Sequence, residues 1–374
     1  MPKINKVLLL VSICQSVAIV LLILTIVWIR QTVRKQTLNN FENAALTENQ
    51  APTENNLKEK TPLKLKVSAN LVWWDQDKGF ESIKDNAELI DSISPFWYEL
   101  TTDSDIDTFS AAEDKEILAF LKTTGLSVTP VISNEFRTEP LSSILDGVLE
   151  RDKLKKKIIE IASPYDGISL NFENLDPEDK DNYTSFVAAL AEELHKDGKT
   201  LTVHLHAKTD EPGTWNGPQS QDWQKLAESC DKLKIMAYDY HWSTSEAGAI
   251  APPDWVEKVI QHAANLIPEK KIYLGIPLYG YDWIDMEGEG ITFDQAIKLA
   301  ELSSTGIKFD KNFSSPYFLF SKDKQQHEVW FENAESTKYK LKLAEKYNIG
   351  GIDFWRLGEE DPKTWDTIVE VLKK

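Results

Sequence analysis

At 374 residues, 41% of them hydrophobic and 12 of them Trp, the chain can hold one large domain or two to three ordinary ones, with a sizeable core. Its net charge is −18; residues 1–35 hold five Lys or Arg and no acid, so the remainder carries −23. So acidic a surface argues against nucleic acid or anionic lipid as ligand and leaves neutral or basic ligands such as carbohydrate, although solubility alone would also account for it. The two cysteines, Cys14 and Cys230, offer neither a disulfide framework nor a zinc cluster.

The first element is an apolar run from Val7 to Ile29 without a charged residue. At about 1.5 Å per helical residue it reaches roughly 34 Å, enough to span a bilayer with some tilt. It ends in Val27-Trp28-Ile29-Arg30, which lacks the small-residue pattern of a cleavable signal peptide. Residues 1–35 therefore read as an uncleaved transmembrane anchor with flanks, its helix at about 7–29. Lys3 and Lys6 on one side and Arg30, Arg34 and Lys35 on the other leave its orientation undetermined. Residues 36–62 are polar, contain Pro52 and Pro62, and lack hydrophobic periodicity, so they read as a disordered linker.

From about residue 63 to 374, short apolar strands alternate with amphipathic helices. The expected strands are 65–73, 92–98, 127–132, 166–172, 200–206, 232–238, 271–276 and 350–356. The helix expected over Asp179–His195 starts with Asp176 as a cap, Pro177 in its first turn, and Glu178 and Asp179 favouring the dipole. Eight such repeats predict an α/β fold, most simply a closed (β/α)8 TIM barrel. The gap between the seventh and eighth strands, about 281–345, is too long for one helix. Its strand-like pieces at Tyr317–Ser321 and Val329–Glu332 predict a small α+β insertion.

The most informative stretch is Asp166-Gly-Ile-Ser-Leu-Asn-Phe-Glu173 on the fourth strand. Alternation places Ile168, Leu170 and Phe172 on one face and Ser169, Asn171 and Glu173 on the other. A carboxylate in core space is costly unless it is partnered or does chemistry. Glu173 could merely cap the next helix or pair with a distant Lys. Other strand ends weigh against that. The first ends in Trp73-Trp74-Asp75, the second in Phe96-Trp97-Tyr98, the third leads to Asn134, the sixth delivers Tyr238 and Asp239, and the eighth delivers Trp355. Active sites of such barrels lie at these ends, and aromatic rings there suit the flat apolar faces of sugars. His204 and His206 could ligate a metal at their spacing, but no carboxylate or cysteine pattern completes a site.

These motifs resemble glycoside hydrolase family 18, the chitinase-like barrels, and most closely its bacterial branch of cell-wall and spore peptidoglycan hydrolases. Residues 166–173 match the frame of the family's Asp-Gly-x-Asp-x-Asp-x-Glu signature. Met236-Ala-Tyr-Asp-Tyr240, Lys271-Ile-Tyr-Leu-Gly-Ile-Pro-Leu-Tyr-Gly-Tyr-Asp-Trp283 and the Gly350–Trp355 run followed by Arg-Leu-Gly agree in order. The resemblance implies a retaining mechanism assisted by the substrate's own N-acetyl group, without cofactor or metal. It makes Glu173 the acid and then the base, gives Tyr238 and Asn171 to the acetamido group, and assigns Asp239 and Trp355 to sugar binding. Trp74, Trp97, Asn134 and Tyr279 join them as substrate-binding candidates, and Asp166 with Gly167 as a structural part of the motif. Two positions depart from the pattern: Ser169 and Asn171 stand where the family has Asp. An amide keeps the shape and hydrogen bonding of the acid but not its charge, and electrostatic stabilisation is often the largest catalytic term.

The expectation is a single-pass, membrane-anchored glycosidase with an extracytoplasmic barrel. It would cut β-1,4 bonds in N-acetylglucosamine-containing glycans, peptidoglycan first, and have no nucleic-acid partner. Chitin and the chitobiose core of N-glycans are alternative substrates; the latter would make it an endo-β-N-acetylglucosaminidase. A non-catalytic glycan-binding barrel and a purely structural one are the rival classes.

Overall fold

The computed structural model describes residues 64–101 and 104–373. The anchor expected at 7–29 and the linker at 36–62 lie outside them. Among the described residues no helix is long and apolar enough to cross a membrane.

Eight parallel strands form the barrel: β1 (Lys66–Val72), β2 (Ser92–Leu100), β3 (Val131–Ser133), β4 (Gly167–Asn171), β5 (Thr200–His206), β6 (Lys232–Met236), β7 (Ile272–Pro277) and β8 (Gly351–Trp355). Each pairs with the next, and β1 pairs with both β2 and β8, which closes the sheet. The expected third strand is split. Ser127–Val128 pairs with β2 separately from β3, because Pro130 between them has no N–H to give the ladder. The helices that follow the strands in turn are α1 (Gln76–Asn86), α2 (Lys115–Thr124), α3 (Val148–Ala162), α4 (Lys180–Lys196), α5 (Trp223–Ser229), α6 (Pro253–Leu266), α7 (Ala334–Lys346) and α8 (Lys363–Leu372).

Local chemistry explains the helices. In α2, the Asp114 carboxylate accepts from the Glu116 and Ile117 amides, and Gly125 at φ 68° ends the helix. In α4, Tyr183, Phe186, Val187, Leu190, Ala191 and Leu194 recur at helical spacing and are buried against the barrel. The start of α4 differs from expectation. Pro177–Asp179 forms a 3-10 turn, and Asp176 makes no side-chain cap; its carboxylate accepts from the Asn216 amide instead, at 3.1 Å.

The insertion opens directly after β7. An antiparallel sheet runs in the order 287–292, 279–284, 325–331, 315–322 and 308–310, with helix Phe293–Ala300 packed on it. Ile291, Ala296, Phe318, Phe320, Val329 and Phe331 give it a core of its own. It ends at Phe331, and Ala334–Lys346 is the barrel helix α7. The return is fixed by a buried pair, Glu332 with Lys340, at 2.7 Å.

The barrel interior is polar where such barrels are usually filled by branched aliphatic residues. The Lys234 ammonium on β6 lies 2.7 Å from the Asp353 carboxylate on β8 and donates to Ser94 Oγ on β2 at 2.8 Å. Asn70 on β1 donates to Asp353 at 2.8 Å, Ser94 meets Thr129 at 3.1 Å, and Ser169 on β4 donates to Thr129 at 3.3 Å. Strands on opposite sides are thus joined through the lumen. Burial lowers the Lys234 pKa, and the Asp353 charge opposes that shift. Burial pushes the Asp353 carboxyl up, but Lys234 and His204 outweigh it and hold it below its ordinary value.

Asp353→Asn strands a buried cation and should destabilise the barrel by about 3–5 kcal/mol, read as a lower urea midpoint. Lys234→Met combined with Asp353→Leu should recover most of that loss.

Candidate active site

The site forms where β4 stops. Phe172 is rooted in the core, so Asn171 and Glu173 project to the other side. The chain then turns over Asn174 at φ 57°. The Asn134 side chain, after β3, accepts from the Glu173 amide at 2.9 Å and donates to the Glu173 carbonyl at 2.8 Å. Asn134 therefore positions the acid's backbone and, buried as it is, is no substrate contact.

Asn171 Nδ2 donates to Glu173 Oε1 at 2.8 Å, while its own Oδ1 is buried without a partner. Glu173 Oε2 faces His206 Nε2 at 3.9 Å. Burial pushes the Glu173 pKa up to about 7; the Asn171 bond opposes the shift, and the charges of Asp239 and Glu135 add to it. Glu173 thus keeps a proton to near neutrality, as a general acid requires.

Tyr238 and Asp239 follow β6. The Asp239 carboxylate accepts from the hydroxyls of Tyr279, at 2.5 Å, and Tyr281, at 3.0 Å. Burial raises its pKa and the two tyrosines counter the shift. Tyr279 thus reaches the site from the insertion by holding Asp239. Burial holds the Tyr238 phenol well above its ordinary pKa, helped by the carboxylates of Asp353, Glu173 and Asp239, so it remains a donor.

A cavity of about 490 Å³ opens beside Glu173, Tyr238 and Asp239, walled by His206, Phe136, Trp215 and Trp242. At the ends of β8 and β1, outside the residues that line this cavity, Trp355 and the half-exposed Trp74 meet edge to face with rings 6.5 Å apart. Buried Phe96 lies beneath them, 5.6 Å from Trp355. Glu135 and Phe136 (φ 50° and 58°), Asn174 and Asp239 (φ 58°) all hold left-handed backbone without being glycine, the kind of strain that gathers at functional sites.

Trp97 is not part of the site. It is fully buried, packs near Tyr165 and donates from Nε1 to Gln76 Oε1 at 2.7 Å. Phe96 and Tyr98 pair with consecutive residues of β3, so Trp97 sits on a bulge that breaks the alternation. Asp166 lies at the opposite end of β4, accepting from the Val128 amide at 2.8 Å, and ties two strands together. Gly167 is required by close approach, since a Cβ there would lie 2.2 Å from the Thr200 carbonyl oxygen. His204 points into the lumen and is held neutral, its pKa lowered to about 3 by burial and the nearby Lys234. Among the described residues no group of three or more His, Cys, Asp or Glu could hold a metal.

Sequence reasoning missed Phe136, Trp215 and Trp242 and weighed His206 only as a metal ligand. Their signal was positional: each lies on β5 or in a loop following β3, β5 or β6, where sites of this fold are built.

Comparison with known proteins agrees with this geometry. Residues 35–360 match the family described as Glycosyl hydrolases family 18. The cortical fragment-lytic enzyme of Bacillus subtilis is 30% identical over 256 residues, which cover 65% of this chain and 59% of that protein. The crystal structure of the Bacillus cereus spore cortex-lytic enzyme SleL superposes with a TM-score of 0.75 at 26% identity, covering 82% of this chain and 74% of that one. A chitinase from Chromobacterium violaceum shares the fold, with a TM-score of 0.76 at 23% identity over 81% of this chain and 98% of that one. The chain belongs to glycosyl hydrolases family 18, with bacterial spore cortex-lytic enzymes among its relatives.

Proposed function

We propose that the protein hydrolyses the β-1,4 bond after an N-acetylglucosamine-type sugar by a retaining, substrate-assisted mechanism. Peptidoglycan is its substrate, and the 7–29 segment anchors it to the membrane with the barrel outside. The observation that carries this reading is the Asn171–Glu173 contact. One amide group donates to the acid and keeps a free acceptor, Oδ1, suited to the N–H of the sugar's acetamido group.

Glu173 Oε2–H gives its proton to the glycosidic oxygen as the acetamido carbonyl oxygen attacks the anomeric carbon and the C–O bond to the leaving sugar breaks. The Tyr238 hydroxyl donates to that carbonyl oxygen and fixes its line of attack. Asn171 Oδ1 takes the N–H, whose acidity rises as the oxazolinium ring forms. Water then attacks the same carbon, Glu173 removes its proton, and the ring opens with retained configuration. Trp355 floors the reacting sugar, and Trp74 extends the apolar surface. The names of the cortex-lytic relatives favour peptidoglycan over chitin.

The test incubates the chain from residue 60 onward with purified peptidoglycan and with chitooligosaccharides, with product ends identified by mass spectrometry. New N-acetylglucosamine reducing ends are expected, and Glu173→Gln should lower their rate by about 10²–10⁴-fold. Glycan binding without cleavage would establish a glycan-binding barrel instead; cleavage of chitooligosaccharides alone would move the substrate to chitin.

Glu173→Gln should also change the pH dependence of stability. A carboxyl whose pKa rises from 4.5 to about 7 on folding contributes stability below pH 4.5, and that contribution is lost as pH rises through 7. The variant should therefore match the parent below pH 4 and exceed it above pH 7, by up to about 3 kcal/mol, in thermal unfolding monitored across pH.

A further inference from the structure

We propose that His206 is the proton-exchange partner of Glu173, so that a carboxyl–imidazole pair sets the protonation state in which the site works. The proposal rests on the reading of Glu173 as the acid. Its basis is which atoms are already committed. Glu173 Oε1 accepts from the Asn171 amide, so the carboxyl proton belongs on Oε2. The titratable side chain facing Oε2 is His206, with Nε2 at 3.9 Å. That nitrogen also faces the Asn174 amide, at 3.5 Å, which makes it the acceptor and leaves the neutral ring's proton on Nδ1.

The ring is built into the wall. It is nearly buried, packs edge-on to Trp215 with centroids 4.6 Å apart, and its backbone amide donates to Gln221 Oε1 at 2.8 Å. Closing 3.9 Å to a hydrogen bond takes about 1 Å of side-chain movement.

The surrounding charges are few and placed. Asp239 and Tyr238 face the pair from the end of β6, and Glu135 from the loop after β3. On β5 itself His204 points into the lumen, and beyond the strand Lys208 is engaged by Glu211 and by the carbonyls of Pro218 and Gln221. No carboxylate occupies position 171 to share the proton. Burial lowers the His206 pKa to about 4 and raises that of Glu173 to about 7, so the pair holds one proton between those values.

In the second half of the reaction, the bond from the attacking water's oxygen to the anomeric carbon forms while its proton passes to Glu173 Oε2. Transfer onward to Nε2 leaves a carboxylate beside an imidazolium, which offsets the charges of Asp239 and Glu135. The reverse transfer restores the acid for the next turnover, with no net consumption.

Two measurements test this on the full chain in detergent. The first follows the His206 ring nitrogens by NMR in ¹⁵N-histidine-labelled protein, unmodified and carrying Glu173→Gln. A His206 response near pH 7 that vanishes in the variant is expected; identical curves would overturn the proposal. This reading needs no turnover, so coupling found in a protein that cleaves no glycan would sink the proposed hydrolysis and leave the pair intact.

The second measures kcat and KM against pH for His206→Gln. A fall of at least tenfold in kcat, KM within about twofold, and loss of the acid limb are expected. A profile superimposable on the parent, or an acid limb that persists and disappears only in Asp239→Asn, would overturn it. Were His206→Gln to misfold, the NMR comparison would decide alone.

Discussion

The charge pair that crosses the barrel lumen is the constraint on which the rest of the structure depends. Lys234 and Asp353 stand on strands separated by β7, and each reaches a further strand, Ser94 on β2 and Asn70 on β1. An interior of this kind gains little from the hydrophobic effect, so its stability rests on the charge pair, on the hydrogen bonds around it and on the apolar layer outside. That layer is large: both faces of the parallel sheet are covered, and the outward residues of every strand join one core with the helices. The polar lumen also sets the electrostatic floor of the site, because Asp353 contributes to holding the Tyr238 phenol protonated.

Above that floor, the site works by burial rather than by dense charge. Glu173 is raised mainly because its carboxylate would be poorly solvated, and a neutral amide, not a second acid, sits against it. A carboxylate at position 171 would couple to Glu173 and divide one proton between two acids. With Asn171 the titration of Glu173 is simpler, and the cost is the loss of a negative charge near a cationic intermediate. Asp239 lies close enough for its charge to act on Glu173, although two tyrosine hydroxyls already donate to its Oδ1.

Much of this was legible in the sequence, for identifiable reasons. β7 is a short apolar run that follows two lysines, β4 alternates apolar and polar residues, and the 3.6-residue pattern of α4 is unambiguous. Placing Asn171 and Glu173 together needed only strand alternation. What failed was what alternation cannot see. Trp97 falls on the side away from Ser94 and Phe96 and joins the outer core, and the bulge after it sends Tyr98 the same way, which a run of aromatic residues at a strand end does not reveal. Asn134 has a polar side chain at a strand end, which looks the same whether it binds a ligand or a neighbouring backbone. The lumen pair was invisible because Lys234 and Asp353 lie 119 positions apart and each reads alone as a solvated charge. Trp215 and Trp242 sit in loops, where sequence carries position but no period.

The grip of Tyr279 and Tyr281 on Asp239 has a consequence for how this chain could diversify. Both rings belong to the insertion's first strand, and that strand is hydrogen-bonded on both sides within a sheet that has its own core. The carboxylate beside the acid is therefore held by a sheet with its own core, which meets the barrel side through Trp283 and Trp330 against Ala249, Ile250 and Tyr238. Drift in the insertion away from that contact, by a shorter hairpin or a retilted sheet, would reposition Asp239 without changing the residues of a barrel strand. Complete loss would be a different event, since it would expose Asp239 as an unpartnered carboxylate beside the acid. The insertion is thus free to vary at its far edge but bound to persist where its two tyrosines hold Asp239.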